Sequence, residues 1–215
     1  MMFRKLYMLF FGLVLVSCSK NEDPCSLTTP LATPATAVSA GQFKANWNKV
    51  SGANAYHLQV AVTDDFSAMA QDIDLLAGPT EVLNLEANQT YYYRVSASVN
   101  NGNPTPFSNV VSVTTRPDAP LAKEATAIMA KSFQAHWQKE AGISEYKLFI
   151  STSNDFSKPS AYLKNFAGIV VEGDAAMVSG LQPNQVYYYR VKAIGQAGES
   201  EFSENTIAVL TEPGQ

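Results

Sequence analysis

The stretch Tyr91-Tyr92-Tyr93-Arg94-Val95 recurs as Tyr187-Tyr188-Tyr189-Arg190-Val191, and Phe43-x-Ala45-x-Trp47 recurs as Phe133-x-Ala135-x-Trp137. The two matches make the chain a duplication. From Pro30 and Pro120 the copies align without a gap through Asp65-Phe66-Ser67 and Asp155-Phe156-Ser157, at a constant offset of 90 residues. Six extra residues then enter the second copy, and the register resumes at an offset of 96 with Leu85-x-Ala87-Asn88-Gln89-x-Tyr91 against Leu181-x-Pro183-Asn184-Gln185-x-Tyr187. Such an insertion belongs in a loop. A period of about 90 residues is long enough for each copy to close its own core, unlike the short periods of solenoids.

Apolar residues alternate within each copy: Phe43, Ala45, Trp47, then Tyr56, Leu58, Val60, then Tyr91, Tyr93, Val95, Ala97. Period two predicts strands with one buried face. Turn formers separate them, as in Ser51-Gly52-Ala53-Asn54, Ala77-Gly78-Pro79 and Asn100-Asn101-Gly102-Asn103-Pro104. The spacing predicts an all-β chain of two tandem seven-stranded β-sandwiches. Trp47 and Trp137 are the expected core centres, and truncating either to Ala should cost about 3–5 kcal/mol.

On these residues the chain resembles the fibronectin type III family of immunoglobulin-like sandwiches, with a Trp on the second strand and Leu-x-Pro-x-x-x-Tyr leading into the sixth. The first copy carries Ala87 where that motif has Pro. The resemblance implies that Tyr91 and Tyr187 form tyrosine corners, each hydroxyl bonding a backbone group upstream. It implies a fold and says almost nothing about activity.

The N-terminus gives an address. Arg4 and Lys5 precede an apolar run from Leu6 to Val16, which ends in Leu15-Val16-Ser17-Cys18. This is the pattern of a secretory signal, and the run is shorter than the roughly 20 residues that span a bilayer. Leu-Val-Ser-Cys resembles the bacterial lipobox, which implies cleavage before a lipidated Cys18. Ser19-Lys20-Asn21-Glu22-Asp23 resembles the signal that sends lipoproteins of Bacteroidetes-type bacteria to the outer face of the outer membrane. The organisation read from sequence is thus a signal peptide over 1–17, a polar tether over 18–29, and domains over 30–117 and 118–215. Several acyl chains on one Cys would hold the protein on the membrane stably. Cys25 then has no intrachain partner and reads as an incidental tether residue.

Charge narrows the partners. Removing Arg4 and Lys5 leaves 13 basic against 19 acidic side chains, a net −6, which argues against nucleic acid. No nucleophile elbow, Walker loop, His-Glu-x-x-His or Cys-x-x-Cys occurs, and the two histidines, His57 and His136, occupy non-equivalent strand positions facing outward. Asp64, Asp65, Asp72 and Asp74 could be imagined as a calcium cluster, but Asp64-Asp65 ahead of Phe66 reads more simply as a turn. The expectation is therefore a chain without catalysis, metal or cofactor.

Alternation on the sixth strand sends Tyr92 and Arg94 outward, and Tyr188 and Arg190 in the second copy. The neighbouring third strand adds His57 and Gln59, or Lys147 and Phe149. The plainer reading is that these side chains form cross-strand pairs covering the sheet. The sharper one is a contact face of Tyr92, Arg94, His57, Phe149, Tyr188 and Arg190, strongest in the second copy, where Phe149 points to solvent. Such a face suits a glycan or an extracellular protein. The resulting function class is a lipid-anchored binding, adhesion or spacer protein. The alternatives are a structural subunit of an outer-membrane complex and, last, a hydrolase with an unrecognised site.

Overall fold

A computed structural model describes residues 27–100, 102–157 and 168–215. The expected signal peptide, Cys18 and Cys25 lie outside the described residues, as do most of the expected tether and residues 158–167 near the insertion. Among the described residues there are fifteen strands and no helix. The first copy contributes β1 (Ala32–Thr36), β2 (Phe43–Trp47), β3 (Ala55–Ala61), β4 (Met69–Leu75), β5 (Thr80–Val82), β6 (Thr90–Ser98) and β7 (Val111–Thr114). The second contributes β8 (Ala122–Met129), β9 (Ser132–Trp137), β10 (Glu145–Ser151), β11 (Ile169–Glu172), β12 (Ala175–Ser179), β13 (Val186–Gly195), β14 (Gly198–Glu199) and β15 (Ile207–Leu210).

Each copy is a sandwich of two antiparallel sheets. In the first, β1-β2-β5 packs on β4-β3-β6-β7; in the second, β12-β9-β8 packs on β11-β10-β13, with β14 and β15 both paired to β13. The second copy departs from seven strands because β13 runs on to Gly195 and folds back through Gln196-Ala197, pairing Ile194 with Glu199. Gly198 supplies the left-handed backbone that this tight return needs, with φ +109°. Among the described residues, 102–106 of the first copy make no such strand.

Alternation builds the cores. Phe43, Ala45, Leu58, Val60, Tyr93 and Val95 are fully buried in the first copy, as are Phe133, Ala135, Tyr187, Tyr189 and Val191 in the second. The same ring pairs recur: Phe43 stacks on Tyr93 at 5.7 Å and Phe133 on Tyr189 at 5.8 Å, while Trp47 meets Tyr56 at 5.7 Å and Trp137 meets Tyr146 at 5.5 Å. Such pairs contribute about 0.5–1.5 kcal/mol each beyond the area they bury. Tyr91 is 3% exposed and Tyr187 is enclosed, and their hydroxyls accept hydrogen bonds from the Glu86 and Gln182 N–H groups, both at 2.9 Å.

Even the unusual backbone is duplicated. Ala37 and Ala127, then Phe66 and Phe156, take positive φ at an offset of 90; Asn88 and Asn184 do so at an offset of 96. The insertion therefore falls between the second and third of these pairs.

Candidate binding face

The sheet holding β3 and β6, or β10 and β13, carries the candidate residues on its outer side. Register sets them beside one another: Gln59 is opposite Arg94 and Phe149 is opposite Arg190. All six candidates, Tyr92, Arg94, His57, Phe149, Tyr188 and Arg190, are half-buried.

In the first copy the guanidinium of Arg94 lies between two rings, its Cζ 4.0 Å from the centroid of Phe66 and 4.3 Å from that of Phe107. Its Nε and Nη2 both donate to Gln59 Oε1, at 2.9 and 2.8 Å. Phe107 also meets the imidazole of His57, with centroids 6.0 Å apart. His57 in turn bridges β4, its Nε2 2.7 Å from Asp72 and its Nδ1 2.7 Å from Asp74. The face brings His57 and Arg94 together through Phe107. Tyr92 stays apart, set between Ala61 and Ser112 of the adjacent strands.

In the second copy Arg190 is held the same way, its Cζ 4.1 Å from the centroid of Phe156 and 3.5 Å from that of Phe202. Phe149 does not point freely to solvent as alternation alone suggests. It packs edge-on against Phe202 at 4.9 Å, because the segment after β14 returns across the sheet and seats that ring on it. Lys147 and Lys192 both lean on Glu199, at 2.8 and 3.6 Å. The hydrogen bond from Lys147 is the main reason that the Glu199 carboxyl titrates below its ordinary range. Burial pushes Arg190 down from its ordinary value. Tyr188 shares the face, between Ser151 and Ala208.

The Phe residues of both clamps were not among the sequence candidates, since they sit in turns and loops where strand alternation has no purchase. Their signal is in the repeat itself. Asp65-Phe66-Ser67 and Asp155-Phe156-Ser157 are the same turn, in which the carboxylate accepts bonds from the backbone and hydroxyl of the Ser two residues on. Asp65 is thereby lowered to about 2, chiefly by the Ser67 N–H; Asp155 is also lowered to about 2, first by the Ser153 hydroxyl and then by Ser157. Asp65 acts as a turn former. Among the described residues no three His, Cys, Asp or Glu side chains are placed to hold a metal ion together.

Residues 118–209 match the sequence pattern of the fibronectin type III domain. The two-domain fibronectin type III segment from chicken tenascin superposes with a TM-score of 0.50 at 13% identity, over 86% of this chain and all of that one. The chain is a tandem of fibronectin type III folds. It is also 28% identical over 138 residues to the Tyrosine-protein phosphatase Lar-like of Caenorhabditis elegans, and 28% over 139 residues to the human Phosphatidylinositol phosphatase PTPRQ. Those alignments cover 60% and 61% of this chain but only 6% and 5% of the relatives. The phosphatase activity in their names therefore does not transfer to the fibronectin type III tandem.

Proposed function

We propose that this fibronectin type III tandem is a non-catalytic, lipid-anchored protein of the outer membrane, displayed at the cell surface and held there through Cys18. Its folded domains bind or space, and the second domain makes the contact. The observation that carries this reading is the gathering of Phe149, Phe156, Phe202, Arg190 and Lys192 on one sheet face of the second domain. Rings beside cations offer a flat apolar platform with directed charge, the chemistry by which glycans and extracellular proteins are held.

The test is a pull-down from native outer membranes, with and without added polysaccharide, using the chain from residue 18 with Cys18→Ser. Capture of a glycan or surface protein that is lost when Tyr188 and Phe149 are both changed to Ser in a folded protein is the expected result. Unchanged capture by that double variant contradicts the contact face. A second reading, a structural subunit of an outer-membrane complex, is favoured by the exposed Met129 and Met177 on the opposite sheet. It predicts capture of membrane proteins alone, insensitive to Tyr188 and Phe149.

A further inference from the structure

The two arginine clamps are alike in their rings and unlike in their hydrogen bonds. Arg94 gives two N–H groups to Gln59 Oε1, so the guanidinium in the first domain is both stacked and satisfied. At the position of Gln59, 90 residues on, the second domain has Phe149. Phe149 faces Arg190 across the strand pair as Gln59 faces Arg94, and a phenyl ring accepts no such bond. Arg190 Nε is consequently enclosed without a partner, and no described residue accepts a hydrogen bond from or forms an ion pair with this guanidinium. A planar donor fork held between Phe156 and Phe202 is already fixed in orientation, so a ligand that meets it loses little further side-chain entropy. The residue remains only half-buried, which leaves its outer edge within reach of a ligand.

Surrounding charge has the sign that an anion requires. Arg190 stands on this face with Lys147 and Lys192, which share the Glu199 carboxylate, while Glu145 and Glu172 lie opposite each other toward the far end of the same side of the sheet. Next to Arg190 itself the two lysines outnumber Glu199, on a chain with a formal net charge of −4. The same face of the first domain carries Arg94 and His57 against Asp72 and Asp74. A carboxylate meets a guanidinium in a two-pronged bond, stronger than a neutral hydrogen bond. The Phe202 ring alongside suits a partner that has an apolar C–H face next to its charge. A uronic acid sugar has both features on one ring, whereas an acidic peptide side chain has the charge without the ring.

We propose that Arg190, clamped by Phe156 and Phe202 and deprived of an internal acceptor by Phe149, is the carboxylate-binding residue of a site for acidic polysaccharide on the second domain. The proposal rests on the reading of this face as the contact surface and names the ligand class for it. It is tested with trigalacturonate as the probe, titrated into the chain from residue 18 with Cys18→Ser, following the guanidinium nitrogen signals of Arg190 by NMR. Saturable binding that moves Arg190 and leaves Arg94 in place is expected, with maltotriose giving none. Phe149→Gln installs the acceptor of the first domain, and it should weaken trigalacturonate at least about tenfold while the melting temperature holds or rises. Arg190→Gln should abolish binding and Arg94→Gln should not. Equal affinity in Phe149→Gln and the parent overturns the proposal, as does tighter binding of tri-glutamate than of trigalacturonate. Capture of a neutral glycan with Arg190 signals unmoved also overturns it, while leaving the wider reading of a binding protein intact.

Discussion

At the residue scale the repeat acts as an internal control, because equivalent side chains differ in single contacts. Trp137 is 1% exposed and its indole N–H donates to the Gly173 carbonyl at 3.1 Å. Trp47 is 5% exposed, yet its indole N–H has no acceptor. Replacing Trp137 by Phe removes a made bond and strands a carbonyl, whereas replacing Trp47 by Phe removes a donor that already lacked a partner. The Trp137→Phe variant should therefore lose about 1 kcal/mol more than Trp47→Phe, the ordinary net worth of one hydrogen bond. Chemical denaturation followed by circular dichroism checks this, since the Trp left in each variant sits in the unchanged domain. Equal losses would show that the Gly173 contact adds nothing to stability. Both cores were visible in sequence because Phe-x-Ala-x-Trp alternates cleanly; the difference between the two indoles was not, since the Gly173 turn lies beside the insertion, where the copies cease to align.

At the element scale the turn after β3 and its counterpart after β10 place an aromatic residue in the left-handed region, Phe66 at φ 60° and Phe156 at φ 56°. Bulky residues adopt that backbone only where the surroundings enforce it. Here the preceding Asp closes the turn and the ring is taken up under an arginine. Asp65 and Asp155 are lowered to about 2, so the ionised carboxylate is the form that the fold favours. Their contribution is fully present above the ordinary carboxyl value near 4, and it is lost as pH falls from there through about 2. The Ser67 and Ser157 amide signals should shift with midpoints near 2, and Asp65→Asn and Asp155→Asn should each remove that transition. Midpoints near 4 would mean that the turns do not hold the carboxylates. Sequence spacing located these Asp-Phe-Ser turns but assigned the phenyl rings no task. Period-two reasoning speaks only for residues inside strands, and these rings sit in turns, under arginines 28 and 34 residues further along the chain. For the same reason alternation placed Arg190 and Phe149 side by side, yet missed Phe202, which turns Phe149 from an exposed ring into a packed one.

At the scale of the whole molecule, the joint between the domains rests on a glycine that the strand itself does not require. Gly195 ends β13 without a left-handed backbone, and the first domain carries Val99 at the matching position, 40% exposed. A Cβ on Gly195 would lie 2.6 Å from Pro117 Cγ and 2.9 Å from Asn88 Oδ1. The linker is itself tied to the first domain, since the Asn88 N–H donates to the Arg116 carbonyl and the Arg116 N–H to that of Ser39, both at 3.0 Å. Gly195→Val should force the linker away and change the small-angle scattering profile, while each domain melts as before; an unchanged profile would mean that this contact does not set the domain arrangement. Every role proposed here, contact through the second domain above all, depends on display outside the cell by acylation of Cys18. Metabolic labelling with an alkyne fatty acid in the native host tests this most directly, comparing the parent with Cys18→Ser. Label on the parent in the outer-membrane fraction is expected, with an unlabelled, released Cys18→Ser protein; a parent chain exported without label would overturn anchoring through Cys18.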